Sequence, residues 1–324
     1  MIKKTFLCLL AFHLFLGMLH AHPSVEPGKK VLTIYGIKGP SGIGMIRLFE
    51  DIPQVPGFEL RVEALAQADL AAARFLSGEA QVGILPPNMA AKIASSGKNI
   101  KVAAVIGMGM LSLLTSDPQI HSLRDLRGKT VEVAGQGATP DYVFRRLLRE
   151  NALQPDLDVR LGYSLAHPEI VQSLIANRIS SALLPEPFAT MALSGKPDLR
   201  QVGNIQDEWR RFSGGDNFPM TVLAIDGDFA ANNPEAVRII LHRFSDSVHW
   251  TVSHPAEAGV LAEKHELGFP RLVAAAAIPK SNYVFVPAVE ARPALENLFK
   301  LYLDFSPVSI GGALPQDSFY YQNF

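Results

Sequence analysis

From Val31 onward, short apolar runs alternate with stretches of helical periodicity, the pattern of an α/β chain. Val31–Tyr35 predicts a strand, followed by the glycine-rich turn 36–42. Phe58–Ala64 alternates cleanly, with Phe58, Leu60, Val62 and Ala64 on one face and Glu59, Arg61 and Glu63 on the other. That predicts a half-buried strand near a sheet edge. An alanine-rich helix over 70–76 stops at Gly78, a natural residue just past a helix end. Gln81–Leu85 predicts a strand closed by Pro86-Pro87-Asn88, with a helix to about Ser95. Lys101–Ile106 and Leu111–Thr115 are further strands.

A second α/β set begins near Ser116. The strand Thr130–Val133 leads through Gly135-Gln136-Gly137-Ala138 into a helix with Thr139 at the cap, Pro140 at the first turn and Asp141 at the positive end. Val159–Tyr163 and Ser181–Leu184 predict strands around a helix at 168–176, and Met220–Ile225 returns as a strand. The rest is expected to be mostly helical, over 234–252, 256–266, 270–277 and 291–305. Val237, Ile240, Leu241, Phe244 and Val248 form the apolar stripe of the longest helix.

The first 21 residues stand apart. Lys3 and Lys4, an apolar run from Phe6 to Leu19, and Ala21 have the order of a secretory leader. The run is shorter than the roughly 20 residues of a spanning helix. Removing the leader takes the only cysteine, Cys8, and shifts the net charge from −1 to −3. The expected mature chain then has no thiol chemistry, no disulfide and no basic field for a nucleic-acid backbone. At 324 residues and 19% charged, it is long enough for two domains with large cores.

Several loops carry candidate chemistry, each with a plainer alternative. Gly137 precedes a helix whose free N–H groups could meet an acceptor, or it makes only a tight turn. The third glycine of a dinucleotide fingerprint is replaced by Pro140. Ser41 lacks a glycine two residues on and fails as a nucleophile elbow, so it caps a helix or contacts a ligand. Glu186, between Pro185 and Pro187, either complements a helix dipole or accepts a hydrogen bond from a ligand. Trp209 is a packing residue or a stacking wall, and Lys38 is a solvated lysine or the one cation of its loop. His242 and His249 share a helix face with no metal-ligand spacing, so neither a metal nor a cofactor is expected.

In chain order, Val82-Gly83-Ile84-Leu85-Pro86-Pro87-Asn88, Asp125-Leu126-Arg127-Gly128-Lys129-Thr130, Gly137-Ala138-Thr139-Pro140-Asp141, Ala182-Leu183-Leu184-Pro185-Glu186-Pro187-Phe188 and Asn232-Asn233-Pro234 form an ordered set. The set resembles the solute-binding proteins of nitrate, taurine, sulfonate and thiamine-precursor ABC importers, over nearly the whole mature chain. The resemblance implies a two-lobe periplasmic-binding-protein fold, each lobe a mixed sheet flanked by helices, with a cleft between. Crossings near Ser112–Ser116 and Phe218–Thr221 would put 29–114 and 219–324 in lobe one and 115–218 in lobe two. A monomer is implied that captures a small molecule in the periplasm and delivers it to a membrane permease.

The ligand residues so implied are Lys38, Ser41, Pro87, Asn88, Met108, Gly137, Thr139, Asp141, Glu186 and Trp209. The loops depart from strong anion coordination: they hold no arginine and one lysine, and Met108, Met110, Pro86 and Pro87 give them apolar character. Two alternatives share the architecture. One is an enzyme of thiamine-precursor or menaquinone-type metabolism, which would need a base in these loops; the other is a membrane-docking sensor.

Overall fold

A computed structural model describes residues 28–215 and 217–323, so the leader expected over residues 1–21 lies outside the described residues. Eleven strands are described in chain order: β1 Lys30–Ile37, β2 Phe58–Leu65, β3 Val82–Leu85, β4 Ile100–Met108, β5 Leu111–Thr115, β6 Thr130–Val133, β7 Arg160–Gly162, β8 Ser181–Pro185, β9 Arg200–Gln201, β10 Pro219–Asp226 and β11 Tyr283–Pro287. They form two mixed sheets flanked by helices, in the orders β11-β4-β10-β3-β1-β2 and β7-β6-β8-β5-β9. This is the α/β architecture expected.

Local chemistry explains most of the elements. The alternating segment β2 is an edge strand, with Leu60 and Leu65 buried and its charged residues outward. The helix Ala68–Ser77 ends on Gly78 at φ 82°, a left-handed conformation that glycine adopts without strain. Pro234 opens the helix Pro234–Ser253, which buries the predicted stripe of Val237, Ile240, Leu241, Phe244 and Val248. Each such side chain contributes about 1.5–3 kcal/mol on burial.

The chain leaves the first sheet at Met108 and enters the second at Leu111, through Gly109–Met110, and it returns between Ser213 and Pro219. Leu111–Thr115 runs antiparallel to β8, not beside β4. The C-terminal third is mostly helical, and its one described strand, β11, pairs antiparallel with β4. One expectation is corrected: the cap of the helix Thr139–Glu150 is Ala138, with Thr139 already inside the helix.

The helix Ala288–Phe305 starts against the first sheet and ends against the second unit. There Tyr302 Oη lies 2.8 Å from Thr139 Oγ1, and the Phe305 ring stacks on Tyr142 at 5.4 Å. Arg149 covers the Phe305 ring at 4.2 Å. Asn297 Nδ2 donates to Ser213 O at 3.1 Å, beside the returning passage. Among the described residues, no helix is long and apolar enough to cross a membrane.

Candidate functional site

The strand directions bring one edge of each sheet to the two passages. In the first sheet β1, β2, β3 and β4 run parallel to one another, and β10 runs against them. Their carboxyl ends therefore meet the start of β10, where Met108 pairs with Pro219. In the second sheet β6, β7 and β8 run parallel, and the end of β8 pairs with the start of β5, Pro185 with Leu111. The loops after β1, β3, β4, β6 and β8 thus face the junction, the place where open α/β sheets hold ligands.

After β1, Gly39 adopts φ 98° and its N–H donates to Leu267 O at 2.9 Å. The turn then places Ser41 Oγ 3.2 Å from Thr221 Oγ1. Gly42 is required by close approach, since a Cβ there would stand 2.5 Å from the Ile37 carbonyl oxygen. Tyr283, on β11, donates its hydroxyl to Pro40 O at 2.7 Å. Pro87 and Asn88 open the helix after β3. Asn88 is half-buried, and its side chain has no hydrogen-bond partner among the described residues. Met108, half-buried at the end of β4, donates its N–H to Asn282 O at 3.1 Å.

From the second sheet comes Glu186, only 3% exposed, whose N–H donates to Met110 O at 2.9 Å. Its carboxylate accepts the Thr190 N–H at 3.0 Å. Burial pushes this carboxyl above the usual carboxylate range, against the pull of Thr190 and of the Lys280 ammonium. Burial also raises the Tyr283 phenol, and the Glu186 charge adds in the same direction. Residues from both sheets therefore act on one another here.

Lys280 and an aromatic pair close the junction. Lys280 Nζ donates to Thr190 Oγ1 at 3.3 Å. Phe188 meets Phe269 edge-on at 4.9 Å and stacks on His167 at 4.8 Å. Burial lowers the His167 pKa to about 4 from the ordinary 6.5, so the native ring is neutral. The unfolded chain accepts a proton near 6.5 that the folded chain refuses. Stability is therefore complete above that pH and is lost progressively as the pH falls toward about 4. Thermal melts between pH 8 and 4 should show this loss, and His167→Phe should flatten that limb. An unchanged slope in the variant would assign the loss elsewhere.

The ten residues named from the sequence fall into separate places. Ser41, Pro87, Asn88, Met108 and Glu186 lie on loops or strand ends facing the junction. Gly137, Thr139 and Asp141, which follow β6 on the same side, build a brace. The Asp141 carboxylate, 1% exposed as a residue, accepts Gly137 N–H at 2.8 Å, Arg145 Nε at 2.7 Å and Tyr163 Oη at 2.6 Å. The Gly137 N–H is thereby already satisfied, and the Thr139 hydroxyl is taken by Tyr302. Arg145 also donates to Asp156 and Tyr163, and the burial-opposing acids around it raise its pKa further. A hollow of about 420 Å³ lies beside this brace, lined by Gln136, Tyr142 and Phe305 among others.

Lys38 sits exposed at the rim, with its Nζ 4.0 Å from Glu266 Oε2. Trp209 is 3% exposed, packed edge-on against Phe212 at 5.0 Å and Phe218 at 5.4 Å. Sequence reasoning did not name Thr190, Thr221, Lys280 or Tyr283 as ligand residues. The run Tyr283-Val284-Phe285-Val286 was the available signal for the last, being β-branched and aromatic between turn residues. Among the described residues, no cluster of three or more His, Cys, Asp or Glu is arranged to hold a metal ion.

Solved structures share this architecture. An ABC transporter protein from Parabacteroides distasonis is 24% identical with a TM-score of 0.78, over 91% of this chain and 99% of that one. The periplasmic aliphatic sulphonate binding protein SsuA from Escherichia coli is 16% identical with a TM-score of 0.71, over 92% and 94%. The periplasmic nitrate-binding protein NrtA from Synechocystis PCC 6803 is 13% identical with a TM-score of 0.61, over 76% and 69%. No curated protein matches the sequence. The sequence profile of the NMT1-like family matches residues 57–264, well over half of the chain, and the protein belongs to that family.

Proposed function

We propose that this protein is the extracytoplasmic solute-binding component of an ABC importer, capturing a small organic or anionic ligand in a cleft and delivering it to a membrane permease. The observation that carries this is the meeting of strand ends from both sheets around polar groups, the buried Glu186 and Thr190 from one and the buried Thr221 and Tyr283 with the half-buried Ser41 from the other. The sulphonate- and nitrate-binding proteins named above share the fold, which supports the same class of task. On this reading lobe one is built on residues 28–108 and 219–323, and lobe two on 111–213. Hinge bending at the two passages opens and closes the cleft. The protein acts as a monomer, exported by the leader at 1–21, and it binds without catalysing a reaction.

Mass spectrometry of the purified protein, native and then denatured, tests this. A small molecule should be released chemically unchanged, and adding it back should raise the melting temperature and compact the protein in solution scattering. Time-dependent conversion of the released compound would make the protein an enzyme instead. A melting temperature unaffected by the added compound would remove the cleft from the account.

A further inference from the structure

Two stretches of chain join the sheets covalently, Gly109–Met110 and the return between Ser213 and Pro219. The helix Ala288–Phe305 makes a third connection that is not covalent. It packs on β4, β10 and β11 of the first sheet and buries Leu295, Leu298 and Phe299. Just past Phe305 the chain forms the short turn Pro307–Ile310, which lies against the helix Pro87–Ser95 after β3. Both ends of the helix are thus held by the unit of the first sheet.

Its last turn is nonetheless seated in the second unit. The Tyr302 hydroxyl lies 2.8 Å from that of Thr139, and the Tyr302 ring meets Tyr142 edge-on at 5.1 Å. Phe305 stacks on Tyr142, Arg149 covers Phe305, and Arg146 Nη1 lies 4.0 Å from Asp304 Oδ2. Residues 139, 142, 146 and 149 follow one another at the three- and four-residue spacing that makes one helix face. Thr139, Tyr142 and Tyr302 are all buried, Tyr302 completely. A contact that broke whenever the cleft opened would wet these rings on every cycle, at the full hydrophobic cost. Asn297, one turn earlier, bonds Ser213 O beside the returning passage, so a rotation at that passage displaces the contact little. Asp141, two residues past Thr139, holds the Gly137 N–H, which ties the contact to the loop after β6.

We propose that the last turn of the helix Ala288–Phe305 is a non-covalent pivot between the two units, kept engaged while they rotate at the passages. The proposal rests on the hinge motion put forward above and goes beyond it. Two single-chain passages limit how far the units separate but leave their relative orientation loose. A seated third contact narrows that orientation, so the loops after β6 and β8 face those after β1, β3 and β4 in a preorganised way.

Spin-label distances on the full chain, in a Cys8→Ser background, provide the test. One label pair, Lys92→Cys with Gln172→Cys, sits on exposed helix positions of the two units. A second pair, Glu150→Cys with Lys300→Cys, sits on exposed positions of the two helices that form the contact. The second pair should hold one narrow distance. Phe305→Ala should widen the distance distribution of the first pair roughly twofold, while amide exchange in β3, β4, β6 and β8 stays slow. Arg149→Ala combined with Tyr302→Phe removes an exposed guanidinium and one hydroxyl but keeps every ring. It should widen the distribution in the same direction by less, and it carries the decision if Phe305→Ala loses its slow amides. Two separate distances at the second pair would make the turn a latch that breaks on opening, which overturns the pivot. A first-pair distribution that superimposes on the natural one in a variant with intact slow amides overturns it as well. No ligand enters these measurements, so solute capture stands or falls separately, on the mass spectrometry above.

Discussion

Asp141→Ala should cost about 3–5 kcal/mol of stability and lower the melting temperature by roughly 10 °C. The carboxylate is buried beneath three donors: a backbone N–H of the Gly135–Gly137 turn, the Arg145 guanidinium and the Tyr163 hydroxyl. Its removal leaves an arginine whose side chain is 17% exposed with only the half-exposed Asp156 as a counter-ion. It also frees a turn in which Gly135 and Gly137 both hold left-handed backbone conformations. Asp141→Asn keeps one acceptor and loses the charge, so it should fall between the alanine variant and the natural chain. Urea melts with all three proteins measure the order. A loss below about 1 kcal/mol, the scale of an exposed ion pair, would show that this brace holds nothing in place.

Trp209→Ala should be comparably severe, about 3–5 kcal/mol, because the indole fills a buried site between Phe212 and Phe218. Phe218 is fully buried at the returning passage, and a Cβ on Gly109 would come within 2.5 Å of its ring. The tryptophan therefore supports both passages between the sheets at once. Trp209→Phe keeps part of the packing and should recover much of the loss. Paired urea melts and cleft titrations separate this role from stacking on a ligand. Support of the passages lowers stability with affinity little changed in Trp209→Phe. A tenfold loss of affinity in a fully stable Trp209→Phe protein would instead put the indole against the ligand.

These two residues also show where sequence patterns stop informing. The segment Thr139-Pro140-Asp141 reads as a helix start, and a helix is there, but the pattern carries nothing about which groups come to meet it. Tyr302 reaches Thr139 across 163 residues and takes up its hydroxyl, and the cap lies at Ala138. The edge position of Phe58–Ala64 was legible because burial on one face is written in a period of two. The change of sheet at Gly109–Met110 was not, because β4 and β5 are both mostly apolar and nearly wholly buried, and their distant partners distinguish them. Glu186 and Ser41 stood out because proline and glycine punctuate their loops. Thr221 and Tyr283 sit inside ordinary strands, and only sheet order carries them to the junction.

That sheet order has a consequence for how the chain acquires its structure. The second sheet is assembled from one uninterrupted stretch, 111–201, while β10 and β11 must be threaded into the first after it. Until residues 219–226 are in place, β3 and β4 each present an unpaired edge, and neither can pair with the other at native spacing. Loop closure over so long an intervening segment is slow compared with hairpin pairing. The second sheet is thus free to mature early, and the first waits on the strands from the C-terminal half. A nascent or truncated chain ending near 213 would carry a finished second sheet beside a split, adhesive first one, a form that cellular holdases would need to shield.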